Sequence, residues 1–303
     1  MKIVRLFVIG AGLLSPYGTV LAQLAQPDCS PVGDDLSGHR RLRALSLDLR
    51  GVVPSAEEYD LLVDGEVPGA LIDEWLASEA FVARAVRQHR DLFWNNVTNV
   101  NPINNRSILR REASGLFWRF AIADLYRGQR VPCLDEPAQF GPGGEILTEI
   151  QPDGTRREGW VMVEPYWAPG TSVQACAFDA QAAMVSPLGT RCDTLDGLAD
   201  PQCGCGPGLA FCAWGQQTLL PLMRAMGRDI EMRVAELVRD DRPYLDLFEG
   251  DAMYVNGPLV HFWKYQAEVP GQIRLLPRPV GVEKLPDLEI PEVIADGRDE
   301  SCG

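Results

Sequence analysis

The 303-residue chain is poor in lysine and histidine and has no stretch of about 20 apolar residues after its first segment; each scarcity removes a class of function. Lys2, Lys264 and Lys284 are the only lysines, so the basic charge rests on 25 arginines. No dense Lys/Arg tract is present to neutralise a phosphate backbone, and 28 basic against 42 acidic residues leave a net charge of −14. These features argue against nucleic acid as a partner. Neighbouring arginines such as Arg40, Arg41 and Arg43 sit in ordinary helical sequence and read as a solvated face rather than an anion site.

The three histidines, His39, His89 and His261, are far apart, and no H-E-x-x-H, G-x-S-x-G or P-loop pattern occurs. A His-based metal site would have to be assembled by tertiary structure. His89-Arg90-Asp91-Leu92 followed by Asn96 matches the kinase catalytic-loop pattern. No lysine precedes it to hold nucleotide phosphates except Lys2, however, and His89 falls on the apolar stripe of a helix, where it reads as a satisfied core histidine. Gly10-Ala11-Gly12 is a fragment of a dinucleotide fingerprint inside the leader and carries no weight.

With 46% hydrophobic and 23% charged residues, the chain can build a packed core. Residues 1–22 read as a signal peptide: Lys2 and Arg5 are basic, Leu6 to Leu14 is a short apolar run, and Val20-Leu21-Ala22 offers a cleavage site. Ser15-Pro16 breaks the apolar run well short of a membrane span, and no Cys stands at the cleavage site for lipidation. The expectation is a periplasmic or extracellular protein with no integral membrane segment after signal removal.

Export alters the reading of the cysteines. Cys29, Cys133, Cys176, Cys192, Cys203, Cys205, Cys212 and Cys302 all follow the leader, and an even number in an oxidising compartment points to disulfides. The competing reading is a metal site around Cys203, Cys205 and Cys212, but the spacing is not that of paired zinc ligands and no histidine is near. Spacing alone leaves the connectivity open.

The expected fold is mainly α: a helical bundle interrupted by a disulfide-rich, loop-rich insertion with a small β-hairpin. Residues 23–130 form the N-terminal helical region. There Ser55-Ala56-Glu57-Glu58 is a capping box, with Gly65 as a stop. Phe81, Val82, Ala85, His89, Leu92 and Phe93 recur at helical spacing and call for burial. A third helix is expected from Ser107 to Gly128, with Leu109, Ala113, Leu116, Phe117, Phe120 and Ala121 on one side. Residues 131–215 are the Cys/Gly/Pro-rich insertion, in which Glu145 to Ile150 and Trp160 to Val163 flank Pro152-Asp153-Gly154 as a hairpin. Residues 216–267 resume helical periodicity from Leu219 to Leu237, end it before Pro243, and pack on the N-terminal region. Residues 268–303 read as an extended acidic, Pro-rich tail.

Two polar segments are candidate sites. Asp193, Asp196 and Asp200 around Gly197 could hold Ca²⁺, but the spacing is not that of a calcium loop, no bidentate Glu follows at the expected place, and a solvated Asx-turn is the favoured reading. Asn95, Asn96, Asn99, Asn101, Asn104 and Asn105 could bind a sugar or cap turns, and Asn96-Val97-Thr98 and Asn105-Arg106-Ser107 are formal glycosylation sequons in a eukaryotic host.

Residues 41–94 carry Arg43-Ala44-Leu45-Ser46-Leu47-Asp48-Leu49-Arg50-Gly51, Val53-Pro54-Ser55-Ala56-Glu57-Glu58, Trp75-Leu76-Ala77-Ser78 and Leu92-Phe93-Trp94 in that order. They resemble the uncharacterised helical domain of exported, cytochrome-associated proteins of planctomycetes and myxobacteria. Asp241-Arg242-Pro243-Tyr244 and Tyr254-Val255-Asn256-Gly257-Pro258-Leu259 resemble a segment of the related multi-domain proteins. The resemblance implies an exported, mainly helical module whose relatives often carry c-type haem, and it transfers no catalytic residue. This chain has no C-x-x-C-H, so no covalent haem is expected on it.

The expected function is an exported binding or scaffold module of an envelope or extracellular assembly, with a c-type cytochrome as candidate partner. The alternative is an extracellular hydrolase acting on a polymer such as polysaccharide. That chemistry needs two carboxyl groups roughly 5 to 10 Å apart, one with a raised pKa. Asp48, Glu58, Asp91 and Glu112 are candidates that helix surfaces and caps explain as well.

Overall fold

The computed structural model describes residues 37–93, 101–250, 253–267 and 284–285. The expected signal peptide over residues 1–22, Cys29, Cys302 and nearly all of residues 268–303, expected as a tail, lie outside the described residues. Four helices come first: α1 (Gly38–Leu49), α2 (Ala56–Asp60), α3 (Gly69–Leu76) and α4 (Glu79–Phe93). The capping box forms as the sequence dictates. Ser55 Oγ accepts from the Glu58 N–H at 3.3 Å, and the Glu58 carboxylate accepts from the Ser55 N–H at 2.8 Å. Helix α2 nevertheless ends at Asp60, and Gly65 serves the turn that bridges Val63 to Glu66.

Glu58 joins three elements. Its carboxylate accepts from Arg50 at the end of α1 at 2.9 Å and from the Trp75 indole of α3 at 2.8 Å. Trp75 is buried against Leu42 and Leu71, and the Arg50 guanidinium lies 4.0 Å from its ring centroid.

The third expected helix is replaced by sheet. Residues 109–128 form β1 (Leu109–Arg111), a turn, β2 (Phe117–Arg119), a 3₁₀ turn over 120–122 and the short α5 (Ala123–Arg127). Leu109, Leu116, Phe117 and Phe120 match a helical period, but Gly115 takes φ +99°, which ends any helix through this stretch. The Glu112 N–H then donates to the Leu116 carbonyl at 2.9 Å and closes the β1–β2 connection.

The second correction concerns residues 131–215. Glu149–Ile150 (β3) pairs with Arg156–Arg157 (β4) across the Pro152-Asp153-Gly154 turn, so the expected hairpin exists with a different second arm. Trp160–Val163 (β5) pairs instead with Val173–Cys176 (β6). Strand β6 in turn runs parallel to β2, giving one mixed sheet in the order β1-β2-β6-β5. The fold is therefore α+β, not a helical bundle with an insertion: the cysteine-rich stretch supplies two of the four central strands. Local periodicity could not show this, because β2 pairs with a strand more than fifty residues away.

Three disulfides brace that stretch: Cys133–Cys176, Cys192–Cys203 and Cys205–Cys212. Gly204, between the last two, lies so close to Gln181 that an added Cβ would stand 2.5 Å from its backbone nitrogen. The long α6 (Gly215–Arg239) follows, then α7 (Asp246–Glu249) and α8 (Gly257–Tyr265). Helices α6 and α8 bury Leu219, Leu222, Ala225, Leu259 and Phe262 together. Helix α6 also packs along α4. None of the described helices is long and apolar enough to cross a membrane.

Two outcomes are expected. A thiol count in denaturant without reductant should find at most two free thiols, rising to eight after reduction. The Arg50 hydrogen bond, outweighing partial burial, holds the Glu58 carboxyl below its ordinary value. Its contribution to stability is complete above the ordinary glutamate range and is lost as pH falls through the lowered folded value. Urea midpoints measured down the acid range should therefore fall less steeply for Glu58→Gln than for the wild type.

Candidate functional site

The most deeply buried charges lie where the sheet meets α5. Arg119 of β2 donates from Nε to Asp179 at 2.8 Å, from Nη2 to the Tyr126 hydroxyl at 2.8 Å and to the Cys203 carbonyl at 3.1 Å. Arg127 of α5 pairs with Glu158 and reaches Asp179 at 3.2 Å. All four charged side chains are sealed from solvent. Burial works against the Arg127 charge, but Asp179 and Glu158 hold the guanidinium above its ordinary value. Burial also pushes the Glu158 carboxyl up against the pull of Arg127.

Among the described residues, Cys133, Glu158 and Cys176 form the single cluster of potential metal donors. The two sulfurs are bonded to each other and Glu158 is committed to Arg127, so this donor set is already spent internally. A second buried feature, a cavity of about 20 Å³ beside Tyr166, Thr218 and His261, has room for about one water. Tyr166 stacks on His261 with centroids 3.7 Å apart, and burial pushes its hydroxyl up to about 12.

The open features lie on α4. Its inner face meets α6, and the two helices run antiparallel, since Glu79 pairs with Arg239 and Arg90 with Glu231. Between those pairs lies a groove of about 550 Å³. Its floor is aliphatic, with Val82, Val86, Met232 and Ala235; its rim carries four arginines and two glutamates. Beyond Arg90 the apolar stripe of α4 does not bury as its periodicity requires. Val82 is its one fully buried member, while Leu92 is 65% and Phe93 37% exposed.

Four rings gather at this end. His89 lies 5.8 Å from Phe93 and 5.4 Å from Tyr244, and Phe248 lies 6.0 Å from Phe93 and 5.7 Å from Tyr244, all between centroids. Tyr244, just before α7, and Phe248, on it, are both more than half exposed, as is Leu245 between them. His89 is satisfied as expected, its Nδ1 2.7 Å from the Ala85 carbonyl, but it borders this surface patch rather than the core.

The other sequence candidates are dispersed. Asp193 pairs bidentately with Arg191, Asp200 accepts from the Gln202 N–H at 2.9 Å, and Asp196 is exposed before the 3₁₀ turn at 197–199. Asn101 and Asn104 each accept from a backbone N–H two residues on, the turn-capping role. Asn95, Asn96 and Asn99 lie outside the described residues. His39 stacks on Tyr59, and His261 is buried on α8. Asp48 and Asp91 are exposed on α1 and α4, whereas Glu112 accepts from the Trp118 indole at 2.7 Å. Among the described residues, the carboxyls with raised pKa are Glu158, sealed against Arg127, and Asp229, whose burial outweighs its bond from the Tyr254 N–H. The sequence reading missed the α4–α6 groove. Arg87 and Arg90 on α4 and Arg228 and Arg239 on α6 were visible, but nothing local says that the two helices lie side by side.

No protein-family model matches the chain, and no curated protein or solved structure matches it. The resemblance of residues 41–94 and 241–259 therefore rests on their motifs alone.

Replacing Asp179 by Asn leaves Arg119 with no carboxylate partner and Arg127 with Glu158 alone, in a sealed site. Breaking a buried pair from one side costs about 3–5 kcal/mol, and urea unfolding of Asp179→Asn should show a loss of that order. Arg130→Gln, which removes an exposed partner of Asp124, should cost less than about 1 kcal/mol.

Proposed function

We propose that the protein is an exported binding module that holds a protein partner through the aromatic patch at the α4–α7 corner. The observation carrying this reading is the four-ring cluster of His89, Phe93, Tyr244 and Phe248, whose last two members are 51% and 61% exposed. Contiguous exposed aromatic and aliphatic surface is costly to leave in water and is the usual signature of an interaction face. Large rings anchor interfaces because they bury much area with few rotatable bonds.

Export is supported by the three disulfides, which persist in oxidising compartments, and by the leader-like composition of residues 1–22. The motif resemblance adds a c-type cytochrome as the partner. A net charge of −14 would favour a partner with a basic face and accelerate encounter at low salt. The polymer-hydrolase alternative draws no support from Glu158 and Asp229, which are engaged within the fold.

The reading is tested by titrating the protein with a purified soluble c-type cytochrome from the same source, using calorimetry at low and moderate salt. Saturable binding that weakens with salt is expected, and Phe248→Ser with Tyr244→Ser should weaken it at least tenfold. Absence of binding sinks the cytochrome as partner. Binding that the double variant leaves unchanged sinks the aromatic patch as the face.

A further inference from the structure

We infer that the groove between α4 and α6 binds an amphiphilic organic anion, a medium-chain fatty acid, with its carboxylate at the Arg87–Arg90–Arg228 end. The groove is independent of the partner patch in its chemistry. Its volume of about 550 Å³ falls within the range of small-ligand sites, roughly 300–1,000 Å³. Four arginines and two glutamates leave an excess of positive charge on the rim of a chain that is otherwise strongly acidic.

The distribution of that charge gives the ligand its polarity. At one end Arg239 and Glu79 satisfy each other through two hydrogen bonds of 2.7 and 2.8 Å. At the other end Glu231 serves both Arg90 at 2.7 Å and Arg228 at 3.1 Å. Arg87, one turn from Arg90 on the same helix, is exposed and makes no ion pair among the described residues. Among the described residues, then, that end has Arg87 without an ion pair beside the Arg228–Glu231 and Arg90–Glu231 pairs, and a ligand carboxylate would give Arg87 its counter-charge. Guanidinium groups suit this role because their planar donors match a carboxylate in pairs.

The floor specifies what the anion is attached to. Val82 and Ala235 are 4% and 6% exposed, and Val86 and Met232 complete an aliphatic strip between the charged ends. Val82 and Ala235 are already out of water, so the area an alkyl chain would cover, and an inorganic anion would leave wet, belongs to the half-buried Val86 and Met232 and the exposed Ala83, at about 25 cal/mol for each Å² removed from water. Eleven residues of α4 separate Glu79 from Arg90, a length of about 16 Å at the helical rise, enough for one extended medium chain. Short aliphatic walls and an adaptable methionine fit a flexible chain better than a flat ring system.

Calorimetric titration of the full chain with decanoate, below its micellar range, tests the assignment. One-site saturable binding is expected, with decanol and acetate each binding at least tenfold more weakly. Arg87→Glu with Arg228→Glu should weaken decanoate binding at least tenfold. Ala83→Trp, which places a ring in the groove from an exposed rim position and leaves every charge intact, should do the same. Phe248→Ser should leave decanoate binding unchanged, so failure here and failure of the partner patch are separable. The inference is overturned if decanoate shows no saturable binding, if decanol binds as well as decanoate, or if both groove variants bind as the wild type does. Association with phosphatidylglycerol vesicles in the absence of decanoate binding would assign the groove to a membrane surface and likewise overturn it.

Discussion

The architecture depends on four charges that have no access to water. Arg119 and Arg127 come from the N-terminal side of the chain, Glu158 and Asp179 from the cysteine-rich stretch, and their formal charges cancel. Removing each such ion from water costs several kcal/mol, so the cluster is favourable only with its hydrogen bonds in place. Tyr126 and the Cys203 carbonyl take further donors of Arg119, and the Val131 carbonyl lies 3.4 Å from Arg127. The consequence is register. A one-residue slip of β2 against β6 would turn Arg119 to the opposite face and strand Asp179. Aliphatic residues of equal volume could match the stability, but they would accept neighbouring registers that the ion cluster penalises.

Once that cluster is seen as the centre, the disulfides take on graded roles. Cys133–Cys176 closes a separation of 43 residues and sits beside Glu158, tying the entry of the stretch to β6. In the chain-entropy model such a loop contributes roughly 4 kcal/mol, against roughly 3 and 2.5 kcal/mol for separations of 11 and 7. The two short bridges therefore act mainly as local shape constraints. They hold the turns around Gly204, where the backbone approaches Gln181 too closely for any side chain. A segment that looks deficient in core residues by composition is thus organised by charge and covalent links, with Leu109, Phe117, Trp167 and Leu209 packed beneath it.

What the sequence made legible was local. The Ser55 capping box, helix α4, the end of α6 before Pro243 and the oxidation of six cysteines all follow from spacing within a few residues or from compartment chemistry. What it hid was long-range. Phe117 to Arg119 satisfies a helical period as well as a strand, and only the partner strand at Val173–Cys176 decides between them. The same holds for the site. Arg87 and Arg228 look like solvated charges until α4 and α6 are laid antiparallel, because neither helix carries a signal about what it faces.

Helix α4 shows why its misread stripe is informative. A period that calls for burial over its whole length is met at Val82 and fails at Leu92 and Phe93, so apolar surface is retained where folding alone would have covered it. The ion pairs at Glu79–Arg239 and Arg90–Glu231 fix α4 to α6 at two places along its length. With the helices held at those points, side chains no longer than Val82, Ala83 and Val86 cannot fill the space between them. An open aliphatic floor follows from pinning two helices at their charged ends and using small residues in the middle. The aromatic patch follows from continuing the same stripe past the last pin. One helix thereby presents two surfaces of different chemistry, and substitutions that enlarge Ala83 or shorten Phe93 act on them separately.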